Sequence, residues 1–137
     1  MGKIQSYEDL DVYQKLLGLH LEVHTLSLTF PKFELFELGS QIRRSSNSAP
    51  ANIAEGWNNK HTNIYIEGIN RAQGEINETK HHLMVAFKKK YLSEERYHDF
   101  KNTYDSCGKM LTVLKRALED FKRSSQGPNT QHQKPRT

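Results

Sequence analysis

The sequence predicts an all-α protein, an antiparallel up-down four-helix bundle whose second helix is kinked at a proline. Three observations lead there. Apolar residues recur at steps of three and four in four successive segments. The segments are separated by short turn-forming stretches, which make neighbouring helices antiparallel. The hydrophobic content is low, 35% of 137 residues, which suits one domain with a thin, strictly periodic core.

Helix one is read from Ser6, a side-chain cap with Glu8 and Asp9 in the first turn, where acidic groups suit the helix dipole. Val12, Leu16, Leu19, Val23, Leu26 and Phe30 form a heptad seam. A second row, Leu10, Tyr13, Leu17, Leu21 and Leu28, widens the apolar face beyond what one seam needs, the pattern of a deeply embedded helix or of a subunit interface. Pro31 ends this helix, and Phe33 and Phe36 open the second.

The second helix reaches Gly56–Asn59. Its stripe is Leu35, Leu38, Ile42, Ser45, Ser46, Ala49, Ile53 and Trp57. Pro50 removes one hydrogen bond and crowds the carbonyl of Ser46, which predicts the kink. The small residues around it suit a close helix–helix crossing. After an Asn58–Asn63 turn capped at Thr62, the third seam is Tyr65, Ile69, Ala72, Ile76, Thr79, Leu83 and Phe87, with Gly68 and Gly74 explained by tight packing. Lys88, Lys89 and Lys90 mark its C-terminal end. The fourth helix begins at Ser93–Arg96 and follows Tyr97, Phe100, Tyr104, Cys107, Leu111, Leu114, Leu118 and Phe121. The bundle domain is thus residues 1–123, and 124–137, without a large apolar residue, reads as a disordered polar tail.

Ser40-Gln41-Ile42-Arg43-Arg44-Ser45 followed by Ala49-Pro50-Ala51-Asn52-Ile53-Ala54-Glu55-Gly56-Trp57 resembles the signature of the 23S rRNA intervening-sequence proteins, a four-helix-bundle family. Related bundles are the accessory variability proteins of diversity-generating retroelements. Tyr7-Glu8-Asp9-Leu10, Val12-Tyr13-Gln14-Lys15, Phe30-Pro31-Lys32, Gly74 and Tyr91-Leu92-Ser93-Glu94-Glu95 resemble the family's other landmarks, so the likeness spans residues 6 to 122. It departs at Ser45-Ser46-Asn47, where the family more often has alanines and valine. The resemblance implies a ring-like homo-oligomer, usually a pentamer, with a reverse transcriptase as partner in the retroelement relatives.

No catalytic constellation is evident. His20 and His24 share a face, but no Glu follows His20, so the zincin pattern is absent. Only Glu78-Thr79-Lys80-His81 fits the Glu-x-x-His motif that a di-metal bundle needs on two helices. Glu78 and His82 have the spacing of a ligand pair. Cys107 lies on the fourth seam, the place of a buried, inert thiol; a lone cysteine excludes an intrachain disulfide and fits a reducing cytoplasm. No phosphate loop, membrane span or signal peptide is present, and no metal or cofactor is expected. The chain carries a net +4. Arg43 and Arg44 in the signature, Lys88–Lys90 at the end of helix three, and Arg116 among the bases of helix four are the candidate nucleic-acid contacts. Repeated round a ring, they would bind RNA or DNA by charge and shape rather than by sequence. The expected function is a non-enzymatic oligomeric scaffold for nucleic acid or a nucleic-acid enzyme. The rival is a protein–protein adaptor whose basic residues only maintain solubility.

Overall fold

The computed structural model describes residues 3–133, with side chains described through residue 125. Four helices form the bundle: α1 Asp11–Ser27, α2 Leu38–Gly56, α3 Thr62–Lys88 and α4 Glu94–Gln133. Cross-links fix their directions. Ser46 on α2 meets His20 on α1 while Arg43 meets Ser27, and Lys80 on α3 pairs with Asp105 on α4 while Gln73 meets Thr112. Rising numbers on one helix match falling numbers on the next, so consecutive helices are antiparallel.

The four seams make the core. Val12 to Phe30 on the first, Leu38 to Ile53 on the second, Tyr65 to Ala86 on the third and Tyr97 to Leu111 on the fourth supply its buried apolar residues. Pro50 is buried inside α2, which passes through it as one helix. The α4 seam fades beyond Leu111: Leu114 and Leu118 are half-buried and Phe121 is exposed. Over 124–133, the start of the expected tail, the backbone belongs to the last stretch of α4, and 134–137 lie outside the described residues.

Element boundaries depart from the sequence reading at four places. Ser6 and Asp9 form a complete capping box, but on a separate 3-10 turn, Tyr7–Asp9; Leu10 is extended and α1 begins after it. A second such turn, Lys32–Glu34, follows Pro31, and α2 begins only at Leu38. Phe33, Leu35 and Phe36 therefore lie in the α1–α2 link and are exposed, not part of the α2 stripe. Trp57 sits just past the end of α2 in extended backbone, half-buried. Thr62 is the first residue of α3, preceded by His61, and the turn is held instead by Asn59 Oδ1 accepting from the His61 amide at 2.9 Å.

The α2–α3 contact is the tightest. A Cβ on Gly68 would lie 2.7 Å from the Asn52 carbonyl oxygen, and Gly56 packs against it from α2. Farther along, Ser45 Oγ and Thr79 Oγ1 share a buried hydrogen bond of 2.7 Å. Gly74 is different: its position is open, and no close approach explains it.

One knot closes the pole where α1–α2 and α3–α4 turn. Glu34 is 1% exposed. Its Oε2 accepts from Lys89 Nζ and from Tyr91 Oη, each at 2.8 Å, and its Oε1 from the Leu38 amide at 3.3 Å. A buried carboxylate is tolerable only with such donors.

Candidate nucleic-acid interface

The six cations singled out by sequence divide into two groups. Arg43, Arg44 and Lys89 are engaged within the fold. Arg43 turns along α2, its guanidinium donating to Ser27 Oγ at 2.9 Å and to the Leu35 carbonyl at 2.7 Å. Gly39 is needed beneath it, since a Cβ there would meet Arg43 Nη1 at 2.9 Å and the Glu34 carbonyl at 2.8 Å. Arg44 crosses to α3, where it pairs with Glu78 and approaches Glu75 at 3.6 Å. Its guanidinium, with smaller help from His82, holds the Glu78 carboxyl below the usual range. Lys89 belongs to the Glu34 knot. Its ammonium, with the Tyr91 hydroxyl next, depresses the Glu34 pKa against the opposing effect of burial.

Lys88, Lys90 and Arg116 form the second group. All three are exposed and have no ion-pair partner among the described residues. Lys88 lies over the Phe87 ring, 5.8 Å from its centroid. Lys90, two residues past the end of α3, is in a left-handed conformation, φ 70°. Arg116 stands far from both, in a groove between α3 and α4 of about 710 Å³ that Lys80, Lys109, Asn77 and Gln73 also line. Lys80 there is paired with Asp105, whose carboxyl is held low chiefly by that lysine. The structure therefore splits the basic residues between the end of α3 and a site along α4, rather than gathering them into one patch.

Three titratable groups off this surface, His20, His82 and Cys107, are packed into the fold. His20 is half-buried with Nδ1 2.8 Å from Ser46 Oγ, where a solvated surface histidine is the expectation from sequence. Burial, then His24, lowers its pKa. His82 is buried against Glu78, 3.2 Å away. No group of three His, Cys, Asp or Glu side chains with metal-binding geometry occurs among the described residues. Cys107 is buried and its thiol pKa is raised by burial, the opposite of a nucleophile's. Among the described residues no helix is long and apolar enough to cross a membrane.

Fold and surface together define a compact antiparallel helical bundle with a charged flank and an apolar link. The chain belongs to the family of 23S rRNA-intervening sequence proteins, whose model it matches over residues 8–113. A solved structure from Bacteroides thetaiotaomicron, described as a protein with unknown function from the S23 ribosomal protein family, is 28% identical; the match covers 75% of this chain and 96% of that one with a TM-score of 0.66. No curated protein matches the sequence.

Proposed function

We propose that this protein is a non-enzymatic, homo-oligomeric helical scaffold, a pentamer on the family resemblance, that holds nucleic acid or a nucleic-acid enzyme such as a retroelement reverse transcriptase in the cytoplasm. The observation that carries the reading is the uncovered apolar stretch around the α1–α2 link. Phe36 is 86% exposed, Phe33 68%, Leu28 59% and Leu35 41%. Large apolar side chains concentrated in one short exposed stretch mark a surface that another chain covers. Leu21, on the second row of α1, is exposed as well and extends the apolar surface along that helix. The net charge of +4, multiplied by the number of subunits, supplies the attraction for phosphates.

Sedimentation tests the assembly. The unaltered protein at micromolar concentration sediments well above 15.9 kDa, and Phe33→Asp with Phe36→Asp reduces it toward the monomer without loss of helicity. A monomer from the unaltered chain refutes the reading. A second reading, a protein adaptor with no nucleic-acid partner, draws support from the engagement of Arg43, Arg44 and Lys89 inside the fold; failure to bind mixed-sequence RNA at low salt would favour it.

A further inference from the structure

α3 and α4 carry matched seven-residue repeats that face each other. On α3, asparagine recurs at Asn63, Asn70 and Asn77. On α4, running the other way, the dipeptides Lys122-Arg123, Lys115-Arg116 and Gly108-Lys109 recur at the same interval. In two rungs the first lysine of the pair is clamped across the seam: Lys122 Nζ donates to Asn63 Oδ1 at 2.6 Å and Lys115 Nζ to Asn70 Oδ1 at 2.9 Å. At the third rung the lysine is replaced by Gly108, where an added Cβ would meet nothing within 4 Å.

That missing side chain opens the seam. Asn77 and Gly108 line the α3–α4 groove with Lys109 and Arg116. The amide of Asn77 has no hydrogen-bond partner among the described side chains, and neither Lys109 nor Arg116 has an ion-pair partner among them. Lys109 and Arg116 stand one heptad apart, ~10.5 Å at 1.5 Å per residue. That step equals the axial rise of about three nucleotides of a stacked strand at ~3.4 Å each. The only aromatic lining residue among those described, Tyr104, is fully buried, so the groove has no exposed platform for stacking a base.

We infer that this groove, rather than the end of α3, seats the phosphodiester backbone of a single nucleic-acid strand. Lys109 and Arg116 take phosphates, and the Asn77 amide, level with Gly108, donates to a phosphate oxygen at the Lys109 end. The two cations lie in a single row along one helix, the arrangement that follows one backbone. The inference deepens the nucleic-acid reading above and rests on it.

Anisotropy of a short, labelled, mixed-sequence single-stranded RNA, titrated at several salt concentrations, tests it. Lys109→Gln with Arg116→Gln makes the slope of log affinity against log salt shallower by about 1.4, at ~0.7 per lost phosphate contact, and weakens binding roughly twentyfold at ~0.1 M salt. Gly108→Leu weakens binding with no change of charge, which diffuse attraction would not do. Lys88→Gln with Lys90→Gln removes the same charge elsewhere and leaves the slope unchanged. Circular dichroism and sedimentation confirm that each variant keeps its fold and assembly. If the Lys88/Lys90 pair changes the slope and the Lys109/Arg116 pair does not, the groove is wrong while the nucleic-acid reading stands. If the unaltered protein binds no RNA at low salt, both fall.

Discussion

α3 has two neighbours and treats them oppositely. Toward α2 it presents Gly68 and Thr79, and the helices approach until the Gly68 position has no room for a methyl group. Along the outer edge of its α4 side, beyond the shared apolar core, it presents Asn63, Asn70, Gln73 and Lys80, and long polar side chains bridge the distance. A close dry contact gains dispersion and hydrophobic energy along its whole length but tolerates no added atoms. A bridged contact gains little per bond, because solvent competes for each partner. The comparison teaches where this bundle can vary. The closest backbone approach is on the α2–α3 side, and the outer edge of the α3–α4 side is free to carry charge and a groove.

Glycine substitutions break the comparison most sharply. Gly68→Ala pushes a Cβ against the backbone oxygen of Asn52, which cannot swing aside as a flexible side chain would. Overpacking of this kind costs about 1–3 kcal/mol, more than the helix-propensity gain of ~1 kcal/mol returns. Gly74→Ala, two turns along the same helix in an open position, keeps that gain and stabilises by ~1 kcal/mol. Urea unfolding of the two variants should move the midpoint in opposite directions. A shared sign would show that the α2–α3 side is no tighter than the rest of α3.

The two glycines also show what the sequence withholds. Both sit in the same helical pattern and read alike as packing glycines. Only Gly68 is one, because the distinction depends on what α2 places opposite. The seams themselves were legible, since burial imposes the three-four step on every helix whatever its partner. Leu35 misled for the same reason, since an apolar residue in register with a stripe looks like core even when it is exposed, and Phe33 and Phe36, read as opening the second helix, lie before it. Glu34 left no signal at all, because a charged residue in a link is ordinarily solvated and its donors lie on a distant turn. Among its six candidate cations the sequence could not tell Arg43, turned inward, from Arg116, facing a groove. The Asn63, Asn70, Asn77 spacing was the available sign of that groove.

A smaller effect, tied to pH, belongs to the pole that joins the two sides. The Glu34 carboxyl has its pKa lowered by Lys89 and then Tyr91. Its stabilisation is therefore fully present above the ordinary carboxylate value of about 4.3 and is lost as pH falls through the lower folded value. Glu34→Gln should lower the melting temperature near neutrality and flatten its fall in acid. Part of the fall remains, since Glu78 and Asp105 are also held low by Arg44 and Lys80. An unchanged acid profile would mean that Glu34 is solvated and that the pole is open.

The smallest effects come from single bonds, and a pair of double-mutant cycles uses them to sharpen the contrast. Ser45 and Thr79 meet in the fully buried α2–α3 contact, and Thr79 keeps a second bond to the Glu75 carbonyl at 2.9 Å when Ser45 is removed. Ser45→Ala should therefore cost about 1 kcal/mol, with coupling to Thr79→Val of similar size. Asn70 and Lys115 meet at the surface of the α3–α4 seam, with Asn70 exposed. Asn70→Ala should cost less than ~0.5 kcal/mol, and its coupling to Lys115→Ala should be smaller still, as for other exposed polar pairs. The buried hydroxyl pair has no water to replace a lost partner, whereas the lysine does. Equal coupling energies on the two sides would mean that the α3–α4 clamps are as rigid as the core contact. A seam held that firmly would leave the third rung no freedom to admit a strand.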